Sequence, residues 1–157
     1  MNVSLSKVIP QWLQSPNDTV VLFVLKLADE YQQLALHDPI LRCLHHPNEA
    51  VRRQSVLTLV RIADEKTARH LAGHFPGETQ ANKLIILDGL EKIATEEQAP
   101  FLTGVLNEDE NNIIKLRAAK ALAVTSATGL TVLAEKSRQQ PYPYEEIYLH
   151  VKSETAI

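Results

Sequence analysis

A chain of 157 residues with 45% hydrophobic and 22% charged side chains carries enough apolar material for one continuous core, and its composition is neither disordered nor fibrous. A formal net charge of −3 supplies no basic excess for gripping a phosphate backbone, which argues against nucleic acid as a partner. The single cysteine, Cys43, cannot close an internal disulfide, so a reducing compartment, the cytoplasm, is the simplest home.

The first residues, Met1 to Lys7, have no basic segment ahead of an apolar run, so no secretory signal is expected. Residues 3–13, with Val3, Leu5, Val8, Ile9, Trp12 and Leu13, read as a cap helix within an N-terminal cap region, 1–15. The need for a cap comes from the next segment. Val20-Val21-Leu22-Phe23-Val24-Leu25 is apolar all the way round, a pattern that a helix facing water does not tolerate. The apolar stretch from Val20 to Ala28, interrupted by Lys26, is far shorter than the roughly 20 residues needed to cross a bilayer, so direct membrane insertion is not expected.

From residue 16 to residue 138 the sequence returns on itself about every 31 residues. Pro16-Asn17-Asp18 with Val20 comes back as Pro47-Asn48-Glu49 with Val51, and Leu59-Val60-Arg61-Ile62-Ala63-Asp64 as Leu90-Glu91-Lys92-Ile93-Ala94-Thr95. Ala68, Leu71, Gly73 and Phe75 are matched by Ala99, Leu102, Gly104 and Leu106. A repeat of this length with no β-rich segment predicts stacked helical hairpins, four in number, in a single all-α domain. First helices are expected near 17–33, 48–62, 79–93 and 111–124, and second helices near 38–46, 65–75, 96–106 and 128–138. Asp38-Pro39 predicts an N-cap followed by proline in the first turn, Thr95-Glu96-Glu97-Gln98 has capping-box spacing, and Pro47, Pro76-Gly77 and Pro141 fall in joints. After Arg138 the pattern breaks. Residues 139–157 read either as a cap, through Ile147, Tyr148 and Val151, or as a docking tail rich in tyrosine.

The first helices resemble those of HEAT repeats: an apolar residue and a cation, a small residue three positions on, then leucine, as in Val51-Arg52, Ser55 and Leu59 and again in Ile114-Lys115, Ala118 and Leu122. The turns Ile62-Ala63-Asp64 and Ile93-Ala94-Thr95 are similar to the family's too. Asn82-Lys83 and Val20-Val21 depart from the pattern. The resemblance implies a right-handed α-α superhelix, a solenoid of armadillo-like type, acting as a scaffold whose second helices line a concave face. As a whole the chain is similar to bacterial HEAT-repeat domain proteins in which such a domain follows a membrane anchor. That leaves a membrane-anchored parent as an alternative location. HEAT-like hydroxylases carry His-Glu dipeptides, and this sequence has none.

Positions one repeat apart should form ladders on the second helices. Arg42, Gly73, Gly104 and Glu135 make one column, and Cys43, His74, Val105 and Lys136 the next, both expected on the concave face. Glycine inside a helix costs about 1 kcal/mol against alanine, so Gly73 and Gly104 call for a reason. Close packing between layers is one, and a groove kept shallow for a partner segment is the other. His70 and His74 lie four apart, a spacing that can bind zinc, with Cys43 one repeat before His74 and His45-His46 nearby, but no CxxC or HExxH accompanies them. Arg52, Lys83 and Lys115 are expected to bond neighbouring turns, and the acidic run Asn107 to Asn112 to be a solvated joint.

No Ser-His-Asp arrangement and no phosphate-cradling glycine loop is evident. The expectation is therefore a protein-interaction module without catalytic residues, metal or cofactor, contacting a peptide or partner domain through Arg42, Cys43, His70, His74 and Lys136. Two alternatives stay open. One is a metal-dependent or small-molecule-binding protein using His70, His74 and Cys43. The other is a weak homo-oligomer joined through a terminal layer or the segment Tyr142 to Val151.

Overall fold

A computed structural model describes residues 3–31 and 36–155, with side chains from residue 7 onward. The helix end expected near residue 33 and the cap side chains of Val3 and Leu5 lie outside this description. Among the described residues there are ten α-helices and no strand: α1 (Val3–Trp12), α2 (Asp18–Tyr31), α3 (His37–Arg42), α4 (Glu49–Arg61), α5 (Thr67–His74), α6 (Gln80–Ile93), α7 (Ala99–Glu108), α8 (Asn112–Thr125), α9 (Gly129–Gln139) and α10 (Pro141–Thr155). None of them is long and apolar enough to cross a membrane. The chain forms two compact units, Met1–Gly89 and Leu90–Ile157, divided inside α6.

The period of the sequence is first of all a period of helix caps. Asn17, Asn48, Thr79 and Asn111 each stand just ahead of a first helix and accept hydrogen bonds from its opening N–H groups: Thr19 to Asn17 at 2.9 Å, Ala50 to Asn48 at 2.8 Å, Asn82 to Thr79 at 3.2 Å and Ile113 to Asn111 at 2.8 Å. Each cap satisfies donors that the helix cannot, worth about 1 kcal/mol. The expected box at Thr95 forms, with the Gln98 side chain accepting from the Thr95 N–H at 2.8 Å. The expected cap at Asp38 does not form. The helix begins at His37, which is buried with Nε2 2.7 Å from the Thr67 hydroxyl, and Asp38 faces solvent in the first turn. Burial of His37 against the next hairpin thus sets where α3 starts.

The same period is a period of contacts. In the first unit Asn48 donates to Asp18, Thr79 to Glu49 and Arg53 to Asn82, each 29–30 residues on or back. In the second unit Glu96 accepts from the Ser126 hydroxyl at 3.2 Å and from the Ala127 N–H at 2.7 Å. Residues about one repeat apart therefore touch, so helices of successive repeats pack against one another within each unit. Asn82 shows why the HEAT-like pattern is broken there. It is fully buried, accepting from Arg53 Nε at 3.0 Å and donating to the Glu49 carbonyl at 3.2 Å, a role that no apolar residue could fill. The expected acidic joint is shorter than its sequence suggests, because α7 runs on to Glu108 and Asp109 accepts from the Asn111 N–H.

Each end of the chain carries a covering helix, as the cap readings expect, α1 on α2 and α10 on α8 and α9, though with different coverage. α1 packs on α2 through Ile9 and Leu13, yet Trp12 is exposed and Phe23 is left 64% exposed, because one ten-residue helix can cover only one side of α2. The segment after Arg138 does not end the helical order. With Tyr142 extended, α10 runs on from Pro143 and buries Pro143, Tyr144, Ile147 and Val151 against α8 and α9. Its Tyr144 meets Lys115, 29 residues back, at 2.7 Å, so α10 sits on α8 in nearly the register of one more first helix.

Where α8 turns into α9 the backbone is too close for any side chain. A Cβ at Gly129 would lie 2.9 Å from Ala123 Cα and overlap the Leu122 carbonyl. Gly129→Ala is expected to destabilise the protein by about 1–3 kcal/mol, read as a lower urea midpoint at unchanged slope.

Candidate protein-binding surface

In the first unit the second helices α3 and α5 expose Arg42, His45, His70 and Gly73. Arg42 makes no ion pair among the described residues. Cys43 does not join this surface. It is buried, its thiol is directed at the Pro39 carbonyl at 3.7 Å, and burial pushes the thiol pKa up despite Ser55 and Arg42. Val105 of the second unit, in the same sequence column, is buried as well. One residue further along a helix turns the side chain by roughly 100°, which takes the second column off the open face and into the layer contact. Of the five residues proposed from sequence, Arg42 and His70 are thus open to a partner and Cys43 is core.

His74 is half-buried and already engaged. Its Nε2 lies 2.9 Å from Glu78, whose carboxylate is 1% exposed and also takes Arg52 Nε at 3.0 Å and the Thr79 N–H at 3.0 Å. Burial alone would raise the Glu78 pKa. The bonds from Arg52, His74 and Thr79, with the Arg52 charge, outweigh it and hold the pKa at about 2. An ionised carboxylate can only accept, so His74 Nε2 carries the proton in this pair. The exposed ring of His45 meets His74 edge-on, centroids 5.5 Å apart, joining the end of α3 to α5. Sequence reasoning placed His45 only among the nitrogens near His70 and His74 and passed over Glu78. The near-repeat spacings His45 to His74 and Pro47 to Glu78 were the available signals, though neither says that a carboxylate would be buried.

Beside α3, a concavity of about 290 Å³ opens between α1 and the short 3-10 turn Cys43–His45, with an apolar floor of Pro10, Leu13 and Pro39 and with Arg42 and His45 at its edge.

In the second unit, α7 and α9 flank a shallow groove of about 470 Å³ lined by Thr103, Asn107, Thr131, Val132, Glu135 and Lys136. Lys136 stands with its ammonium 4.9 Å from the centre of the Tyr144 ring, half-buried, and Glu135 is exposed and held by Arg138.

The two glycines separate the readings left open by sequence. A Cβ at Gly73 or at Gly104 would meet no atom within 4 Å. Close packing is therefore not what these glycines serve, unlike Gly129. Each leaves a bare strip of helix backbone on an exposed or half-exposed face, at a cost of about 1 kcal/mol of helix propensity.

Among the described residues no group of three or more His, Cys, Asp or Glu side chains is placed to hold a metal ion. His70 is exposed, His74 is taken by Glu78 and Cys43 is buried, so the three do not converge. No protein-family model matches the chain, and no curated protein matches it significantly.

Gly73→Ala and Gly104→Ala are each expected to raise stability by roughly 0.5–1 kcal/mol in denaturant titration, because alanine improves the helix and meets nothing. A loss of stability at either would show that the face is occupied. Glu78 gives a pH signature. Its folded pKa lies below its unfolded one, so its contribution is present above the ordinary carboxylate value and is lost as pH falls toward about 2. Between about pH 5 and about pH 2, wild type should lose on the order of 3 kcal/mol relative to Glu78→Gln, measured by unfolding across that range.

Proposed function

We propose that this chain is a non-enzymatic protein-interaction module, a HEAT-like solenoid that binds a partner segment along the faces of its second helices. The observation that carries this reading is the pair of glycines, Gly73 in the last turn of α5 and Gly104 inside α7, 31 residues apart, that nothing packs against. A residue that weakens its helix without serving the core keeps room for something outside it. The layer contacts at the repeat period support the repeat architecture. Around the glycines the open groups are Arg42 and His70 in the first unit and the groove with Lys136 in the second. Within each unit such a surface offers mixed polarity in place of one deep pocket. A cytoplasmic location, or that of a soluble domain carried by a membrane-anchored parent, goes with this reading.

The test is a double variant, Gly73→Arg with Gly104→Arg, which fills both bare strips with a good helix former. It should melt no lower than wild type. A partner captured by wild type, identified and then titrated as a purified protein should bind the variant at least about tenfold more weakly. Undiminished affinity would place the partner on another face.

A further inference from the structure

The concavity beside α3 has chemistry of its own. Its floor is apolar, from Pro10, Leu13 and Pro39, and its volume of about 290 Å³ has room for one large side chain. Its edge is cationic or imidazole-bearing, from Arg42, His45 and His46, and none of the lining residues is acidic. Two carboxylates close to this edge are committed elsewhere. Asp18 lies 3.6 Å from His46 Nε2 and accepts from Asn48, and Glu78 is enclosed by Arg52 and His74. Asp38 stands one turn before Arg42 but pairs with His37 at 3.8 Å and is 86% exposed. His46 Nδ1 accepts the Asn48 N–H at 3.0 Å, so that ring is spent on the joint. Arg42 is left as a planar five-donor fork on the rim with no acid opposite it among the described residues.

We infer that this concavity receives an apolar side chain of an acidic peptide, with an adjacent carboxylate of that peptide held by Arg42. The inference rests on the interaction-module reading and adds the chemistry of the partner. The apolar floor gives the anchor and the unmatched guanidinium gives the sign of its neighbour. Arg42 also occupies the position one repeat before Gly73, so a segment seated here continues onto the bare strip of α5.

The experiment is selection from a displayed library of random linear peptides, followed by fluorescence titration of the selected sequences against the whole chain. Selected peptides should carry Asp or Glu beside one Leu, Phe or Trp. Replacing that apolar residue by Ala, or using Arg42→Glu protein, should each weaken binding at least about tenfold, while Arg42→Lys should retain most of it. A peptide with Lys in place of its acids should bind the Arg42→Glu protein better than wild type. Since Arg42 is exposed and unpaired, its variants should fold as wild type, checked by unchanged melting. Selected peptides without acidic enrichment, or acidic peptides indifferent to Arg42→Glu, would overturn the inference, as would a selection that yields no binder. Peptides that ignore Arg42 but are lost on the Gly73→Arg, Gly104→Arg double variant would overturn it while leaving the module standing.

Discussion

The structure depends on one interaction, a cation on a first helix that reaches backward to the preceding joint and forward to the next layer. Arg52 donates to the His46 and Pro47 carbonyls, both at 2.9 Å, and to Glu78, so a single side chain closes the end of one hairpin and the start of another. In the second unit Lys115 does the same with different chemistry, bonding the Leu106 carbonyl and the Tyr144 hydroxyl, both at 2.7 Å. A buried charge is costly unless its donors are matched. The joint carbonyls are themselves unsatisfied helix ends, so each deficit answers the other. Lys83 stacks on the Phe75 ring instead, 5.1 Å from its centre.

This arrangement explains why the repeat is visible in the sequence at all. Caps, ties and contacts must recur at one spacing, because each hairpin has to present to the next the same groups that it takes from the last. Where a tie changes chemistry, the spacing bends with it: Arg52 reaches a carboxylate 26 residues on, and Lys115 a tyrosine 29 residues on. α10 is the consequence. It opens with two prolines and lacks the apolar-cation, small, leucine spacing of α4 and α8, yet it occupies a first helix's place on α8 because Tyr144, Ile147 and Val151 fill the layer.

Much of the helix order was legible from residues alone, since the cap asparagines and the apolar spacing are local signals that burial reinforces. What was not legible depended on rotation and on distant partners. Periodicity places Cys43 beside Arg42 but does not say that, of these two adjacent positions, one faces the core and the other water. The apolar girdle of α2 called for cover, and α1 supplies it on one side only, leaving Phe23 and Val20 exposed. Glu78 reads as an ordinary joint residue until Arg52 and His74 are brought to it. Gly73 and Gly104 were ambiguous for the same reason, because their sequence does not say whether anything stands opposite them, and nothing does.

That open backbone bears on where binding specificity can reside. In a layered helical protein most polar side chains are consumed by the layers themselves: His37 by Thr67, His46 by Asn48, His74 by Glu78, Arg53 by Asn82 and Glu96 by the turn at Ser126. On the proposed interaction-module reading, partner recognition falls to the groups that these ties leave over, and a bare backbone strip matters as much as any charge, because it decides how closely a partner segment can approach. Arg42 beside an apolar concavity, followed one repeat later by Gly73, combines the two within one unit. The repeat supplies the same position twice with opposite content, a large cation and then nothing, and on the proposed reading that asymmetry would give a bound segment its direction.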